Sequence, residues 1–266
     1  MKTPHTFNTV RDLLLSQPLT VDVEIEDAWS GPFAVKGLEF EGVALYAGVS
    51  GFSRLSLELA PSEVLIYENM FLSWIRRLLE KERFCMVERF IDHAVVMLFS
   101  TAFGSEDPFL DALQVSRILG ENDEPGFRPA IGVASGTVVA GFTGSPGEYI
   151  PSVYGRPLML AAGFAAMKPA GDFAANITFS EDDWRGHSLD RVFPPVEYDH
   201  PEKGRVRQPQ VWRLGETRLV DIPGTGKVAV RDIANFIHWM SDSTAEKKAK
   251  EWFSLIRSKG YYKKNR

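Results

Sequence analysis

The segment whose residue types best suit ligand chemistry is Gly48–Phe52, a run of small residues that follows an apolar stretch. Loops of this composition can point successive backbone N–H groups at a single anion, such as a phosphate. An ordinary turn from a strand into a helix would show the same residues. The segment therefore predicts either a phosphate-binding loop or a plain connection, and composition alone leaves both readings open.

The side chains that ligate metals or act as nucleophiles show no recognisable spacing. The five histidines lie far apart in the sequence, and Cys85 is the single cysteine, so neither a zinc-finger pattern nor an intrachain disulfide is predicted. Pro223–Lys227 reads PGTGK but lacks the G-x-x-x-x-G-K-[ST] spacing of a P-loop. We therefore interpret Pro223–Lys227 as a turn.

The elements that would position the Gly48–Phe52 loop alternate between strands and helices. Leu38–Val49 is mostly apolar, as a central strand would be, and Ser62 is predicted to cap a long helix that begins near Pro61. The other predicted elements are a helix near Val10–Leu15, a strand at Thr20–Ile25, two strands within Phe84–Phe99, a helix at Pro108–Leu119, a hairpin within Arg128–Gly141 that turns at Ala134–Gly136, a helix at Pro157–Met167, and strands at Ile177–Phe179 and Pro209–Leu214. This order predicts an α+β fold with helices on a mostly antiparallel sheet.

The C-terminal part carries two further helical patterns. Val228–Met240 places Ile233, Phe236, Ile237 and Met240 on one helical face, and Ala245–Ile256 forms the second pattern. Residues 245–266 hold eight Lys and Arg against two Glu, which is typical of a solvated basic tail. The predicted organisation is an N-terminal extension at 1–37, a main domain at 38–215 and a helical extension with a basic tail at 216–266.

Composition narrows the class of protein. The 266 residues are 44% hydrophobic with a formal net charge of −5, which is ordinary for a globular protein and makes a nucleic-acid partner unexpected. The N-terminus does not read as a secretory signal, and no apolar stretch approaches the roughly 20 residues of a membrane span. With one cysteine, the expected location is the cytoplasm.

Five stretches in order resemble motifs of the class III adenylate and guanylate cyclase catalytic domain. Each stretch alone is a weak match, but the order and the spacing make the set specific. The stretches are EGVALYAGVSGFSRLS (first strand and phosphate loop), CMVERFIDHAVVMLF (the K-F-I-G-D hairpin), AIGVASGTVVAGFTGS, YIPSVYGRPLMLAAGFA and KGRVRQPQVWRL. The resemblance covers residues of about 40–215 and implies the ferredoxin-like cyclase fold.

The resemblance also implies how the site would be built. Cyclase domains of this class form head-to-tail dimers with the active sites between the two chains. Two aspartates hold two metal ions, Mg²⁺ or Mn²⁺, on a nucleoside triphosphate. An asparagine and an arginine from the other chain stabilise the transition state. This implies a homodimer, or a heterodimer with another cyclase-like chain, as the expected assembly.

The residues at these four positions differ from the cyclase pattern. Gly48 stands at the first metal-binding aspartate and His93 at the second, while Met159 and Gly163 stand at the asparagine and the arginine. Imidazole is a poor ligand for Mg²⁺, and neither methionine nor glycine can donate a charge-assisted hydrogen bond. Asp92 sits one residue before the second aspartate position, and a one-residue shift in a strand turns a side chain to the opposite face. Only a rearranged hairpin tip would let Asp92 substitute, so Asp92 and His93 are weak metal candidates.

The remaining candidate contacts are to a phosphate and to a base. The phosphate loop would comprise Gly48, Val49, Ser50, Gly51 and Phe52. Arg89 and Ser152 stand at positions that contact the purine base in the family, although Arg89 also suits a solvent-facing strand position.

Two functions follow from these residues. The leading hypothesis is a catalytically inactive cyclase homologue that serves as a dimerisation, nucleotide-sensing or protein-interaction module and needs no cofactor. The alternative is a nucleotidyl cyclase with non-standard metal or substrate use, which would recruit Asp92 or His93 and need Mg²⁺ or Mn²⁺. A heterodimer in which this chain supplies the inactive half is a third hypothesis.

Overall fold

The computed structural model describes residues 9–27, 31–79, 86–91, 93–121, 127–145, 148–167, 175–195, 197–207, 210–235 and 242–259. Within them the α-helices α1 to α7 are Val10–Ser16, Phe52–Glu58, Pro61–Leu79, Pro108–Glu121, Arg156–Ala165, Leu189–Val192 and Asp242–Lys259. The strands β1 to β12 are Val21–Asp27, Gly31–Val49, Met86–Ile91, Ala94–Phe99, Pro129–Ser145, Glu148–Tyr154, Ala175–Ser180, Glu197–His200, Gly204–Arg207, Trp212–Leu214, Arg218–Ile222 and Gly226–Asn235. No described helix has the length and apolar character that crossing a membrane requires.

Ten strands form the main sheet. Seven follow the order β10-β12-β7-β5-β2-β4-β3, and β1, β6 and β11 pair beside β2, β5 and β12. The pairs are antiparallel except β5 with β7, which run parallel. Strands β8 and β9 form a separate antiparallel pair. The predicted α+β fold with a mostly antiparallel sheet is confirmed.

The strand β2 lies in the middle of the sheet and is buried on both faces. Leu45 belongs to a core cluster that includes Phe71 of α3 and Phe253 of α7. Ala44, its neighbour in the chain, belongs to a second cluster that includes Phe164 of α5. Because successive side chains of a strand point to opposite faces, helices cover both sides of the sheet at this strand.

The predicted hairpin within Arg128–Gly141 is wrong. Strand β5 runs unbroken from Pro129 to Ser145 and pairs with β2 along most of its length. Gly136, where the turn was predicted, stays in the ladder opposite Gly42 with a φ of 145°, a backbone conformation that suits glycine. Small residues that read as a turn therefore mark a place where the strand adopts an unusual backbone conformation.

The predicted helix over Val228–Met240 is also wrong, and its last residues, 236–240, lie outside the described part. Residues 226–235 form β12, which pairs with β7, β10 and β11. Val230, Ile233 and Ala234 are all buried, so burial does not alternate along the strand and the apolar spacing imitates a helix. The second predicted helix agrees with α7, and the PGTGK turn agrees with the turn at Pro223–Thr225 that joins β11 and β12.

Helix α3 begins one residue before the predicted cap. Ala60, not Ser62, precedes its first turn, and the Ala60 carbonyl accepts from the N–H of Val64 at 3.0 Å. Glu63 replaces the missing cap side chain, because its carboxylate accepts from the Ala60 N–H at 2.9 Å. This is half of a capping box, with a charge near the positive end of the helix.

Arg257→Met is expected to destabilise the fold by about 2–3 kcal/mol, less than for a fully buried pair because Arg257 itself is 54% exposed. Glu63 is 5% exposed, and Arg257 of α7 donates to its two oxygens at 2.5 and 2.7 Å. Methionine keeps the packing of the side-chain stem but leaves a buried carboxylate without its cation. Urea unfolding measures the change, with exposed Lys259→Met in the same turn of α7 as the control. A loss equal to that of the control would contradict the prediction.

Candidate functional site

A cavity of about 460 Å³ lies where β2 ends and the chain turns into α2. Three parts of the fold form its walls: the end of β2 with the following loop, the start of β5, and the C-terminal half of α5. The residues that line it are Tyr46, Gly48–Arg54, His93, Arg128–Ile131, Ala162 and Phe164–Met167. The cavity is therefore lined by the whole Gly48–Phe52 loop and by His93, the residue that precedes β4.

The Gly48–Phe52 loop is held at both ends by backbone hydrogen bonds. The N–H of Ser50 donates to the carbonyl of Arg128 at 2.8 Å, which ties the loop to β5. Gly51 has a φ of 73° and precedes α2, and its carbonyl accepts from Arg54 and Leu55 at 3.1 Å. The left-handed conformation explains the glycine. Because Ser50 is engaged, that N–H does not face a ligand.

The two positions that the resemblance assigns to metal ligands lie together at this cavity. Gly48 pairs with Ala94 of β4, the residue after His93, so the two positions are neighbours across adjacent strands. A Cβ at Gly48 would lie 3.2 Å from the Tyr46 ring, which occupies the space beside it. The His93 ring stacks on Phe52, with centroids 4.7 Å apart and planes 12° from parallel.

This donor set does not fit Mg²⁺ or Mn²⁺. Both ions take hard oxygen ligands, above all carboxylates. Among the residues described around the cavity there is neither Asp nor Glu. No group of three or more His, Cys, Asp or Glu that could hold a metal occurs anywhere in the described ranges. Asp92, the other weak metal candidate, lies outside them.

The charged side chains that line the cavity are cationic instead. Arg54 of α2 and Arg128 beside β5 both line it, together with the ring of His93. Guanidinium groups bind phosphate oxygens through paired N–H donors. The cavity thus has the chemistry of an anion site in which fixed cations take the place of metal ions.

A carboxylate from α7 approaches the same loop. The Glu246 carboxylate accepts from Nε of Arg54 at 2.6 Å and from Nη2 of the same side chain. A Cβ built at Gly51 would lie 3.2 Å from Glu246 Oε1. Burial of the phenol, and secondly the Glu246 charge, raise the pKa of Tyr67 well above its usual range. Helix α7 therefore reaches the edge of the candidate site.

The positions assigned to the transition state lie away from this cavity, on α5. Met159 is 66% exposed. A Cβ at Gly163 would lie 3.1 Å from Ile222 Cγ2, so the β11–β12 hairpin covers the place where an arginine side chain would begin. Neither residue is among those that line the cavity. The resemblance places these positions at a partner chain's site, and a second copy of this chain would bring neither donor.

Ser152, one of the two candidate base contacts, is not among the residues that line the cavity. Arg89 lies in β3, paired with Val96 of β4, and its side chain is outside the described part. Ser152 lies in β6 and is buried, with its hydroxyl 3.4 Å from the Ile150 carbonyl. The role of Arg89 and Ser152 as base contacts stays a prediction.

Four residues of the site were missed by sequence reasoning: Tyr46, Arg54, Arg128 and Glu246. Tyr46 sits two positions before Gly48, on the same face of β2, and this spacing could have shown that its ring would flank the glycine. Arg54 follows the loop by two residues, so its proximity was readable. Glu246 is 192 positions from Arg54, and nothing local indicates the contact.

Known proteins with similar structures share this architecture. No protein-family model and no curated protein matches the sequence. The adenylyl cyclase CyaB from P. aeruginosa is 14% identical, with a TM-score of 0.55 over 77% of this chain and 99% of that one. The guanylyl cyclase Cya2 is 17% identical, with a TM-score of 0.53 over 77% and 98%. The guanylate cyclase domain of RhGC from Catenaria anguillulae, solved with GTP, is 14% identical, with a TM-score of 0.54 over 74% and 99%.

These similarities concern the fold. Nearly the whole length of each cyclase domain is covered by this chain. The chain has the fold of the class III adenylyl and guanylyl cyclase catalytic domains.

Proposed function

We propose that this chain is a catalytically inactive cyclase homologue that binds a phosphorylated ligand, a nucleoside triphosphate being the first candidate, without a metal ion. The observation that carries the proposal is the lining of the cavity. The Gly48–Phe52 loop and its cleft are present, but arginines stand around them and the described lining has no carboxylate. The RhGC domain with the same fold was solved with GTP, which supports a triphosphate as the ligand class.

Two arginines can partly neutralise a phosphate chain in place of paired cations. A hydrogen bond to a charged group contributes about 1.5–3 kcal/mol. Arg54 of α2 and Arg128 beside β5 both line the cavity, so a bound triphosphate could contact both.

Dimerisation would not complete a catalytic site in this protein. If a second copy paired as the cyclases do, it would present the positions of Met159 and Gly163 to this cavity. A thioether donates no hydrogen bond to a phosphate, and Gly163 has no side chain and is covered by Ile222. The proposed role is therefore recognition, with any signal passed on through a partner.

Titration of ATP into the purified chain tests the proposal. We expect binding in excess EDTA that is as tight as, or tighter than, binding with Mg²⁺, because Mg²⁺ neutralises the triphosphate before the arginines meet it. Arg128→Ala should weaken binding in EDTA by about tenfold or more, the value of one charge-assisted contact. Lys227→Ala, an exposed position near the start of β12 that does not line the cavity, is the control and should change nothing.

Two results would contradict this function. Binding that appears only with a divalent metal would favour the alternative, a cyclase that recruits Asp92 or His93. Absence of ATP binding both in EDTA and with Mg²⁺ would contradict the proposed function.

A further inference from the structure

Helix α7 crosses the two helices that follow the Gly48–Phe52 loop and is fixed to them along its length. Three ion pairs join it to α2 and α3: Glu246 with Arg54, Lys250 with Glu58, and Arg257 with Glu63. Between them, Ala249 and Phe253 are almost wholly buried, and Phe253 packs beside Tyr67 of α3. The helix is therefore an integral part of this face of the fold.

The attachment is uneven from one end of α7 to the other. Towards the C-terminal end, Phe253 is fully buried and Arg257 meets a carboxylate that is 5% exposed. Nearer the N-terminal end the Lys250–Glu58 pair is about half exposed on both sides, Arg54 of the Glu246 pair is 61% exposed, and such exposed pairs contribute little. Ala249 is the buried residue of this end, and its side chain is much smaller than that of Phe253. The turns around Glu246 can therefore separate from α2 at a lower cost than the rest of the helix.

Glu246 sits where an incoming phosphate would be attracted. Its side chain is 14% exposed, while Arg54, the guanidinium that it holds, is 61% exposed and lines the cavity. Glu246 Oε1 also lies beside the loop, 3.2 Å from the position that a Cβ on Gly51 would take. A carboxylate and a phosphate need the same donors and repel each other, so the two compete for Arg54.

We propose that α7 is an intramolecular competitor: Glu246 occupies Arg54 in the unliganded chain, and a phosphorylated ligand must displace it. The inference rests on the proposed ligand-binding function and adds its regulation. Displacement releases the N-terminal turns of α7 while Phe253 and Arg257 keep the remainder docked. A ligand in the cavity would thereby change the surface that α7 presents to a partner.

Glu246→Gln tests the competition directly. Glutamine keeps the shape and removes the negative charge, so ATP in excess EDTA should bind about tenfold more tightly than to the natural chain. Glu251→Gln is the matched control on the same helix, since Glu251 is 65% exposed and faces Lys247. The control should alter affinity by less than about twofold, as expected for an exposed pair.

Hydrogen exchange on the natural chain gives a second readout that needs no variant. With saturating ATP, backbone amides of 246–250 should exchange faster, while those of 253–257 should not change. Equal affinity of Glu246→Gln and the natural chain, or unchanged exchange at 246–250 on binding, would overturn the competition and leave ligand binding intact. If neither protein binds ATP, the proposed function and this inference fail together.

Discussion

Gly132→Ala is expected to destabilise the protein by about 3 kcal/mol or more, the upper range for overpacking a core. Gly132 lies in β5, where α5 crosses the sheet. A Cβ there would be 1.9 Å from the Ala161 carbonyl oxygen and 2.7 Å from the Ala165 nitrogen, both backbone atoms of α5. Because backbone cannot yield as a flexible side chain can, the whole helix would have to move away from the sheet. Urea unfolding monitored by circular dichroism measures the loss.

Gly163→Ala provides a matched control on α5, the helix against which Gly132 packs. Its new methyl group would meet only the side chain of Ile222, at 3.1 Å, and alanine is a better helix former than glycine. We expect the control to change stability by less than about 1 kcal/mol. Similar losses for the two variants would contradict the role assigned to the close approach at Gly132. Gly132→Ala should also weaken ligand binding, because the displaced helix α5 supplies Ala162 and Phe164–Met167 to the cavity wall.

The elements that could be predicted from the sequence are those whose pattern of apolar residues is visible within the segment itself. The apolar run ending at Val49 is the central strand β2, and the two strands on either side of His93 are β3 and β4. The amphipathic spacing after Ala60 is α3. The helical period of α3 extends over 19 residues, and the strands are apolar runs bounded by turn residues, which separates the two kinds of element.

The errors arose where tertiary context overrides a local pattern. β12 is covered on both faces, so its apolar residues do not alternate, and a strand then resembles a helix. Gly136 is a turn residue by composition, yet it lies inside β5, because the partner strand β2 continues past it. The cap of α3 comes from Glu63, three residues after Ala60, and that carboxylate is held by Arg257 near the other end of the chain.

The candidate site was predictable only in its local part. The juxtaposition of Gly48 and His93 follows from the motif order and the pairing of β2 with β4. The contact between Glu246 and the loop could not be predicted in this way, because it depends on how α7 docks on the rest of the fold. The basic composition of the chain end even suggested a solvated tail, whereas residues 246–257 supply both an acidic contact to the site and part of the core.

No cyclic nucleotide is expected from this chain under any metal condition. In-line attack on the α-phosphate needs cations that activate the nucleophile and neutralise the leaving pyrophosphate. Gly48 offers no ligand, and His93 is stacked on Phe52. Removing one preorganised donor from an active site costs roughly 10²–10³ in rate, and here Met159 and Gly163 remove two more groups. Such losses are not additive, but each lowers the rate.

The expected absence of cyclase activity is tested most directly by a turnover assay. The purified chain is incubated with ATP or GTP and with Mg²⁺ or Mn²⁺, beside an active cyclase, and cyclic nucleotide is quantified by mass spectrometry. We predict no product above a protein-free blank. Metal-dependent product that disappears on His93→Ala would contradict the account, because it would show that this cleft supports the chemistry for which we find no ligands.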